Sequence, residues 1–284
     1  MKRWFTESLH SSIGQRLHVQ RVIFETSSPF QEILIFENEL LGKVLVLDGI
    51  VQTTEADEFI YHEMLAHVPL LSHSSPSKVL IVGGGDGGII REVLKHQTVH
   101  EVTMVEIDGK VIEACKRYMP KMSNGAFNDP RLELIIDDGY QYLTSTYKTY
   151  DVIIIDSPDP IGPAKKLFSD KFYSNCRRIL STDGVLVGQN GVPFLQPKEL
   201  LESTKLLKRY FQEVTCYLAP IPTYQGGEMA FFWASDTQRL PHVSNDILTN
   251  NLNKSSIGTS YYSPAAHLAS FALPKWLETL LTNS

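Results

Sequence analysis

Cysteine is scarce in this chain. Cys115, Cys176 and Cys216 are far apart and lack metal-ligand spacing, so they read as reduced core or surface thiols of a cytosolic protein. No run of basic residues is present: Lys and Arg number 26 against 32 Asp and Glu, the signs are mixed along the chain, and the net charge is −6. That balance argues against nucleic acid as the main partner and is compatible with a cationic substrate. No segment approaches the ~20 apolar residues of a membrane span. Met1-Lys2-Arg3-Trp4-Phe5 has no long apolar run behind it, so no signal peptide is expected. No His or Cys cluster supports a transition metal and nothing resembles a phosphate cradle for magnesium, so neither a metal nor a resident cofactor is expected.

What the chain does have is a hydrophobic fraction of 43% over 284 residues, enough for one large domain or a main domain with a smaller partner. The organising stretch runs from Lys78 to Asp108. Lys78-Val79-Leu80-Ile81-Val82 reads as a fully buried strand, Gly83-Gly84-Gly85-Asp86-Gly87-Gly88 as a glycine turn, Ile89 to His96 as a helix, and Glu101 to Ile107 as a second strand ending in Glu106-Ile107-Asp108. Strand, glycine turn, helix, strand, and an acid about 20 residues past the turn form the nucleotide-binding arrangement of a βαβ unit. Glycine permits positive φ and close approach of a ligand to the backbone. Asp86 is the unusual member, because a carboxylate inside the turn repels pyrophosphate and suits a cationic ligand.

Residues 1 to about 53 read as a β meander, with strands at Leu17 to Glu25 (Val19, Val22 and Phe24 inward), Gln31 to Glu37, Gly42 to Leu47 and Ile50 to Thr53, and an Asp48-Gly49 hairpin. So small a sheet cannot bury both faces alone and must lie on the larger domain or on another subunit. Asp57 to Leu71 has helical spacing, with Thr54 or Asp57 as its cap. After Asp108, helices are expected at Lys110 to Met119 (stopped by Pro120), Tyr140 to Ser145, Ser169 to Leu180 and Pro197 to Phe211. Strands are expected at Leu132 to Ile136, Tyr150 to Ile155, Gly184 to Gln189, Glu213 to Leu218 and Met229 to Ser235. The expectation is an α/β fold: a methyltransferase-like, Rossmann-type, mostly parallel sheet (residues 55–284) behind a small N-terminal antiparallel β domain (residues 1–54). In such sheets ligands sit outside the carboxyl ends of the strands. Asp86, Glu106, Asp138 and Asp156 all fall at or just past such ends, although Asp138 is equally placed to cap a helix.

Asp156-Ser157-Pro158-Asp159-Pro160-Ile161-Gly162-Pro163 is the second informative stretch: two carboxylates three residues apart in a proline-stiffened loop. Acids at a strand end suit metal binding, acid/base work or an organic cation, and with no metal-binding partners nearby an amine substrate fits best. Together with the glycine turn, Val105-Glu106-Ile107-Asp108 and Asp137-Asp138-Gly139, this loop resembles the polyamine aminopropyltransferases, the spermidine synthase family. Leu47-Asp48-Gly49-Ile50-Val51-Gln52-Thr53-Thr54-Glu55, Glu58-Phe59-Ile60-Tyr61-His62-Glu63-Met64 and Ile221-Pro222-Thr223-Tyr224 match as well, and the similarity runs from Trp4 to Pro274.

The resemblance implies transfer of the aminopropyl group of decarboxylated S-adenosylmethionine, a co-substrate, to putrescine, giving spermidine and 5′-methylthioadenosine. It implies Asp156 as proton acceptor from the attacking amine, supported by Tyr61. Glu106 would bind the ribose, Asp138 and Gly139 the adenine, Pro163 its pocket, Gln31 the nucleoside and Asp86 the aminopropyl ammonium. His62 and Asp159 would contact the diamine, Gln189 and Tyr224 would shape its tunnel, and Ser157 and Pro158 complete the substrate-binding loop. Pro158 stands where the family usually has Ser or Thr, which removes a hydroxyl and a backbone N–H. A homodimer or homotetramer is implied. The carboxylate of ordinary S-adenosylmethionine, ~4 Å from Asp86, would be repelled by about 4 kcal/mol at an effective dielectric of 20.

Other readings on the same pattern are a methyltransferase, an oxidoreductase, a noncatalytic binding protein, and a relative using spermidine, cadaverine or agmatine as acceptor. Methyltransferases commonly carry an acid two residues before the first glycine of the turn, where this chain has Ile81. A nicotinamide enzyme needs a path for pyrophosphate that Asp86 obstructs. A mere binding protein would not be expected to keep every acid. Tyr261-Tyr262, the Trp276 region and Phe231-Phe232-Trp233 are expected to pack rather than to react.

Overall fold

The N-terminal segment is β structure because short runs of β-branched and aromatic residues alternate with turns. The computed structural model describes residues 3–7, 9–158, 162–237 and 240–282. Strand β1 (Arg3–Thr6) pairs antiparallel with β2 (Arg16–Val19), and β3 (Arg21–Ser27), β4 (Glu32–Asn38), β5 (Gly42–Leu47) and β6 (Ile50–Thr54) form an antiparallel sheet in that order. The Asp48-Gly49 hairpin joins β5 to β6 with φ of 49° and 77°, the pair of positive values that a tight two-residue turn requires.

The remaining elements are α1 (Glu58–Ser72), β7 (Lys78–Gly83), α2 (Gly88–Leu94), β8 (Glu101–Glu106), α3 (Gly109–Tyr118), α4 (Pro120–Ser123), β9 (Leu132–Ile136), α5 (Gly139–Ser145) and β10 (Tyr150–Asp156). They are followed by α6 (Asp170–Ile179), β11 (Leu180–Gln189), α7 (Pro197–Leu207), β12 (Glu213–Ala219), β13 (Met229–Ser235), α8 (Asn245–Ser255), α9 (Pro264–Ser270) and α10 (Lys275–Thr282).

The large sheet has seven strands in the order β12-β13-β11-β10-β7-β8-β9. The run from β11 to β9 is parallel, and β13 and β12 close one edge antiparallel. Its central strands are buried on both faces. Val79 and Ile81 of β7, with Val152 and Ile154 of β10, face a core shared with α1 and α2, while Leu80, Val82, Ile153 and Ile155 face the opposite core under α5 and α6. This is the physical reason these strands read as continuous apolar runs rather than as alternation.

The small sheet is covered on both faces within one chain. Ile33, Ile35, Leu45 and Leu47 pack on Val111, Ala114 and Cys115 of α3. Phe36, Val44 and Val46 pack with Val19, Phe5 and Leu17 of the β1–β2 pair. The single strand expected over residues 17–25 is therefore two strands in two sheets. Its inward residues change parity between Val19 and Val22, and one continuous strand cannot point both to one side. β1 was not expected, nor were α8 to α10.

One local expectation is corrected and one is extended. Asp57 precedes α1 without capping it through its side chain; that carboxylate instead accepts the Thr54 hydroxyl at 2.6 Å and the Thr223 N–H at 2.7 Å. Pro120 ends α3 and also opens α4, since a proline is tolerated where a helix begins. Asp138 does cap α5, accepting the Tyr140 N–H at 2.8 Å. All three cysteines are buried and free. Tyr262 is buried and Trp276 is half exposed. Among the described residues no helix is long and apolar enough to cross a membrane, and no group of three or more His, Cys, Asp or Glu is arranged to hold a metal ion.

Candidate active site

Strand order decides where the site forms. From β7 the chain goes to β8 and β9 on one side, and it returns to β10 and β11 on the other. The carboxyl ends of β7 and β10 therefore sit side by side at the point where the connections diverge, which opens a crevice. Asp156 ends β10 directly opposite Gly83 of β7, and Glu106 ends β8. The turn after β7 carries Asp86, and the end of β9 leads into Asp138. A cavity of about 280 Å³ lies over these ends, and Asp86, Glu106, Asp138, Gly139, Asp156, Ser157 and Pro158 line it. Gln31 from the small domain, Tyr61 and His62 from α1, and Gln189 and Tyr224 from the far side line it too. Asp159 lies outside the described residues, and Pro163 is described for its backbone alone, within a 3-10 turn.

Helix α1 delivers two consecutive residues to two different acids. Tyr61 donates its hydroxyl to Asp156 Oδ1 at 2.6 Å, and His62 Nε2 lies 3.3 Å from Asp86 Oδ2. Successive helical side chains diverge by about 100°, so neighbours in sequence reach neighbouring strand ends. His62 does not present a free nitrogen to the cavity, because its Nδ1 is 2.5 Å from Glu58 Oε2.

Burial, and then the charge of Asp86, push the Asp156 carboxyl up from 3.8 to about 6; His62 and the Tyr61 hydrogen bond pull the other way. Burial also raises Glu106 to about 7, against the N–H of Asp108 that it accepts at 2.9 Å. The Tyr61 hydroxyl is raised well above its usual value by burial and by Asp156, so it stays a donor. His62, which burial alone would depress, is raised to about 10 by Asp86 and Glu58.

Supporting contacts fix the rest. Gln31 donates to Asp108 Oδ2 at 3.0 Å, which ties the small domain to the end of β8. Gln189 donates to the Ser157 carbonyl at 2.9 Å and accepts the Gly191 N–H at 2.7 Å. Tyr224 donates to the Gln52 carbonyl. The cavity also extends along a wall that residue patterns did not single out, formed by Glu7 and Gln15. Only the fold brings the segment between β1 and β2 there.

The glycine turn has a second reason to be glycine. Besides room for a ligand, it leaves room for acids from other strands. A β-carbon on Gly84, at φ +78°, would lie 3.3 Å from Asp156 Oδ2, and one on Gly85 would lie 3.1 Å from Glu106 Oε2. Gly84→Ala is expected to lower stability by about 1–2 kcal/mol through its positive φ and to displace the Asp156 carboxylate. Urea denaturation measures the first effect, and an unchanged midpoint would contradict it.

Comparison with known proteins gives a consistent set of matches. The family model described as the spermine/spermidine synthase domain matches residues 58–245, and the spermidine synthase tetramerisation domain matches residues 3–55. A polyamine aminopropyltransferase of Klebsiella pneumoniae (strain 342) is 49% identical over 276 residues, covering 97% of this chain and 96% of the relative. One from Escherichia fergusonii is 48% identical over 282 residues, covering 99% and 98%. Among solved structures, a spermidine synthase in complex with the transition state analogue AdoDATO superposes with a TM-score of 0.94 at 39% identity, covering 100% of this chain and 97% of that one. Spermidine synthase from Thermotoga maritima gives 0.91 at 39% identity, covering 99% and 96%.

Proposed function

The chain belongs to the spermine/spermidine synthase family, and from that premise we propose that it transfers the aminopropyl group of decarboxylated S-adenosylmethionine to putrescine, giving spermidine and 5′-methylthioadenosine. The observation that carries this reading is the pairing of Asp86 and Asp156 on one cavity, with the Tyr61 hydroxyl 2.6 Å from the latter. A cationic donor and a cationic acceptor both need anionic walls, and one of those anions must accept a proton.

The step balances simply. The lone pair of one putrescine nitrogen attacks the aminopropyl carbon bonded to the sulfonium. That carbon–sulfur bond breaks with its electrons going to sulfur, which becomes a neutral thioether. The surplus proton on nitrogen goes to Asp156. A primary amine near the lysine value of ~10.4 costs about 4–5 kcal/mol to free at neutral pH, and a base at hydrogen-bond distance spares the reaction that prior step. With the sulfonium already activated, positioning carries much of the remaining barrier.

The other residues take their places around that line. Asp86 holds the donor ammonium, Glu106 the ribose hydroxyls, Asp138 and Gly139 the adenine, with Pro163 lining its pocket and Gln31 closing over the nucleoside. Asp159 and His62 stand on the diamine side, and His62 also lies against Asp86. Gln189 and Tyr224 shape the tunnel, and Ser157 and Pro158 form its lip. No resident cofactor takes part. The chain divides at residues 54 and 55 into an N-terminal β domain and a catalytic domain. The former carries assembly into a homodimer or homotetramer, as the matching tetramerisation domain suggests. The enzyme works in the cytoplasm on small molecules, with neither nucleic acid nor membrane as a partner.

The test offers the purified protein decarboxylated donor with putrescine, cadaverine, agmatine or spermidine separately, and identifies products by mass. Spermidine and 5′-methylthioadenosine from putrescine, faster than product from any other acceptor, is the expected result. A methylated product from ordinary S-adenosylmethionine, or a preference for another amine, would overturn the reading.

A further inference from the structure

Asp86 is not a bare carboxylate. Its Oδ1 accepts the Gly88 N–H at 2.7 Å, and its Oδ2 faces His62 Nε2 at 3.3 Å. Beyond the imidazole, Glu58 Oε2 stands 2.5 Å from Nδ1. Glu58 is forked onto Arg91, which donates Nη1 to Oε1 at 2.9 Å and Nη2 to Oε2 at 2.8 Å. Arg91 in turn is pinned by Glu92 at 2.7 Å and by the Met122 carbonyl at 2.6 Å. Along this line the charges alternate from the cavity inward: Asp86, His62, Glu58, Arg91.

The imidazole has no room to do otherwise. Its side chain is 2% exposed, and a β-carbon on Gly88 would fall 2.2 Å from its Cε1, so it lies flat against the start of α2. An imidazole with a carboxylate on each nitrogen satisfies both only when both nitrogens carry protons. The neutral ring would aim a lone pair at one carboxylate oxygen.

We propose that Glu58, clamped by Arg91, is a positioning residue that fixes His62 as a buried cation beside Asp86, and that this charge favours the ionised form of Asp156 before any substrate arrives. The inference rests on the reading of Asp86 as ammonium anchor and Asp156 as proton acceptor. Two carboxylates at adjacent strand ends in one cavity disfavour each other's ionisation, and the usual relief is for one to take up a proton. A protonated Asp156 accepts nothing. A resident cation in the cavity wall eases that conflict, drawing Asp156 down against the push of burial and of Asp86. The groups facing His62 are Glu58 and Tyr61 from α1, Asp86 from the turn after β7, Arg91 of α2 acting through Glu58, and Asp156 from β10. Asp156 also answers to Tyr61 and Asp86. Apart from His62 these neighbours are anionic or neutral, except Arg91, which Glu58 screens.

The test is Glu58→Gln, which keeps the shape and removes the charge. The acid limb of kcat/KM is expected to move up by about one pH unit, because His62 loses a proton-holding partner and Asp156 loses a cation. The donor KM is expected to rise about tenfold while kcat well above the limb changes far less, by analogy with the loss of ground-state binding. A merely structural contact would lower activity alike at every pH, and an unmoved limb overturns the proposal. Nitrogen-15 NMR of the wild-type imidazoles is the second measurement and needs no variant to fold. Both His62 nitrogens are expected to be protonated at pH 8, and an unprotonated one there also overturns it. If wild type makes spermidine and the limb stays in place, this inference alone fails; if wild type transfers no aminopropyl group, the proposed function fails, and the NMR result still decides the state of His62.

Discussion

Asp156→Asn is expected to lower kcat about 10²- to 10⁴-fold, the range for a positioned general base, with a much smaller change in donor KM. The amide has the same outline and still accepts the Tyr61 hydroxyl, so what is lost is the capacity to take a proton. The pH profile should change with it. In wild type the carboxylate form, required for acceptance, is populated above about 6 and disappears as the pH falls below it, so kcat/KM declines on the acid side; the variant loses that contribution. Stability gives an independent readout. The folded-state pKa of Asp156 lies above the ordinary 3.8, so ionising it costs the folded protein free energy. That cost is absent below the unfolded value, grows as the pH rises, and is complete above about 6. Asp156→Asn should therefore raise the melting temperature of the ligand-free protein at pH 8 and lose that advantage toward pH 4. A kcat within a few-fold of wild type would remove the proposed base.

Asp86→Asn is the second large effect. The variant should bind the decarboxylated donor at least about tenfold more weakly, since one charge-assisted hydrogen bond to an ammonium is lost. It should also be inhibited by ordinary S-adenosylmethionine more strongly, relative to its affinity for the normal donor, than wild type is. A bare Asp86 would repel the extra carboxylate by about 4 kcal/mol at ~4 Å. The structure reduces that figure, because His62 stands against Oδ2 and the Gly88 N–H already engages Oδ1. Discrimination of tens-fold rather than a thousandfold is the expectation that follows, each factor of ten being worth about 1.4 kcal/mol. Competitive inhibition constants for both proteins measure it, and equal relative inhibition would refute the role.

Much of the fold was legible because its signals are local. Continuous apolar runs at residues 79–82 and 152–155 could only be strands buried on both faces, and the turns and helices between them set a parallel sheet. The hairpin at Asp48-Gly49 announced itself through residues that tolerate positive φ. The failures lay where the deciding interaction is distant. The parity change between Val19 and Val22 marks a break in the strand but not the passage from one sheet to another, and the carboxylate of Asp57, a plausible cap by position, turns away to Thr223, 166 residues on.

Residue order alone was enough to place acids at the ends of parallel strands and glycines before one of them, because strand ends and tight turns are written in residues a few positions apart. Which acids meet depends on long-range packing. The divergence of the chain on either side of β7 sets Asp86 beside Asp156, and one turn of α1 assigns Tyr61 to the latter and His62 to the former. The charge state of each follows from burial and from the ions facing it, and both of those are properties of packing, which no stretch of chain contains alone.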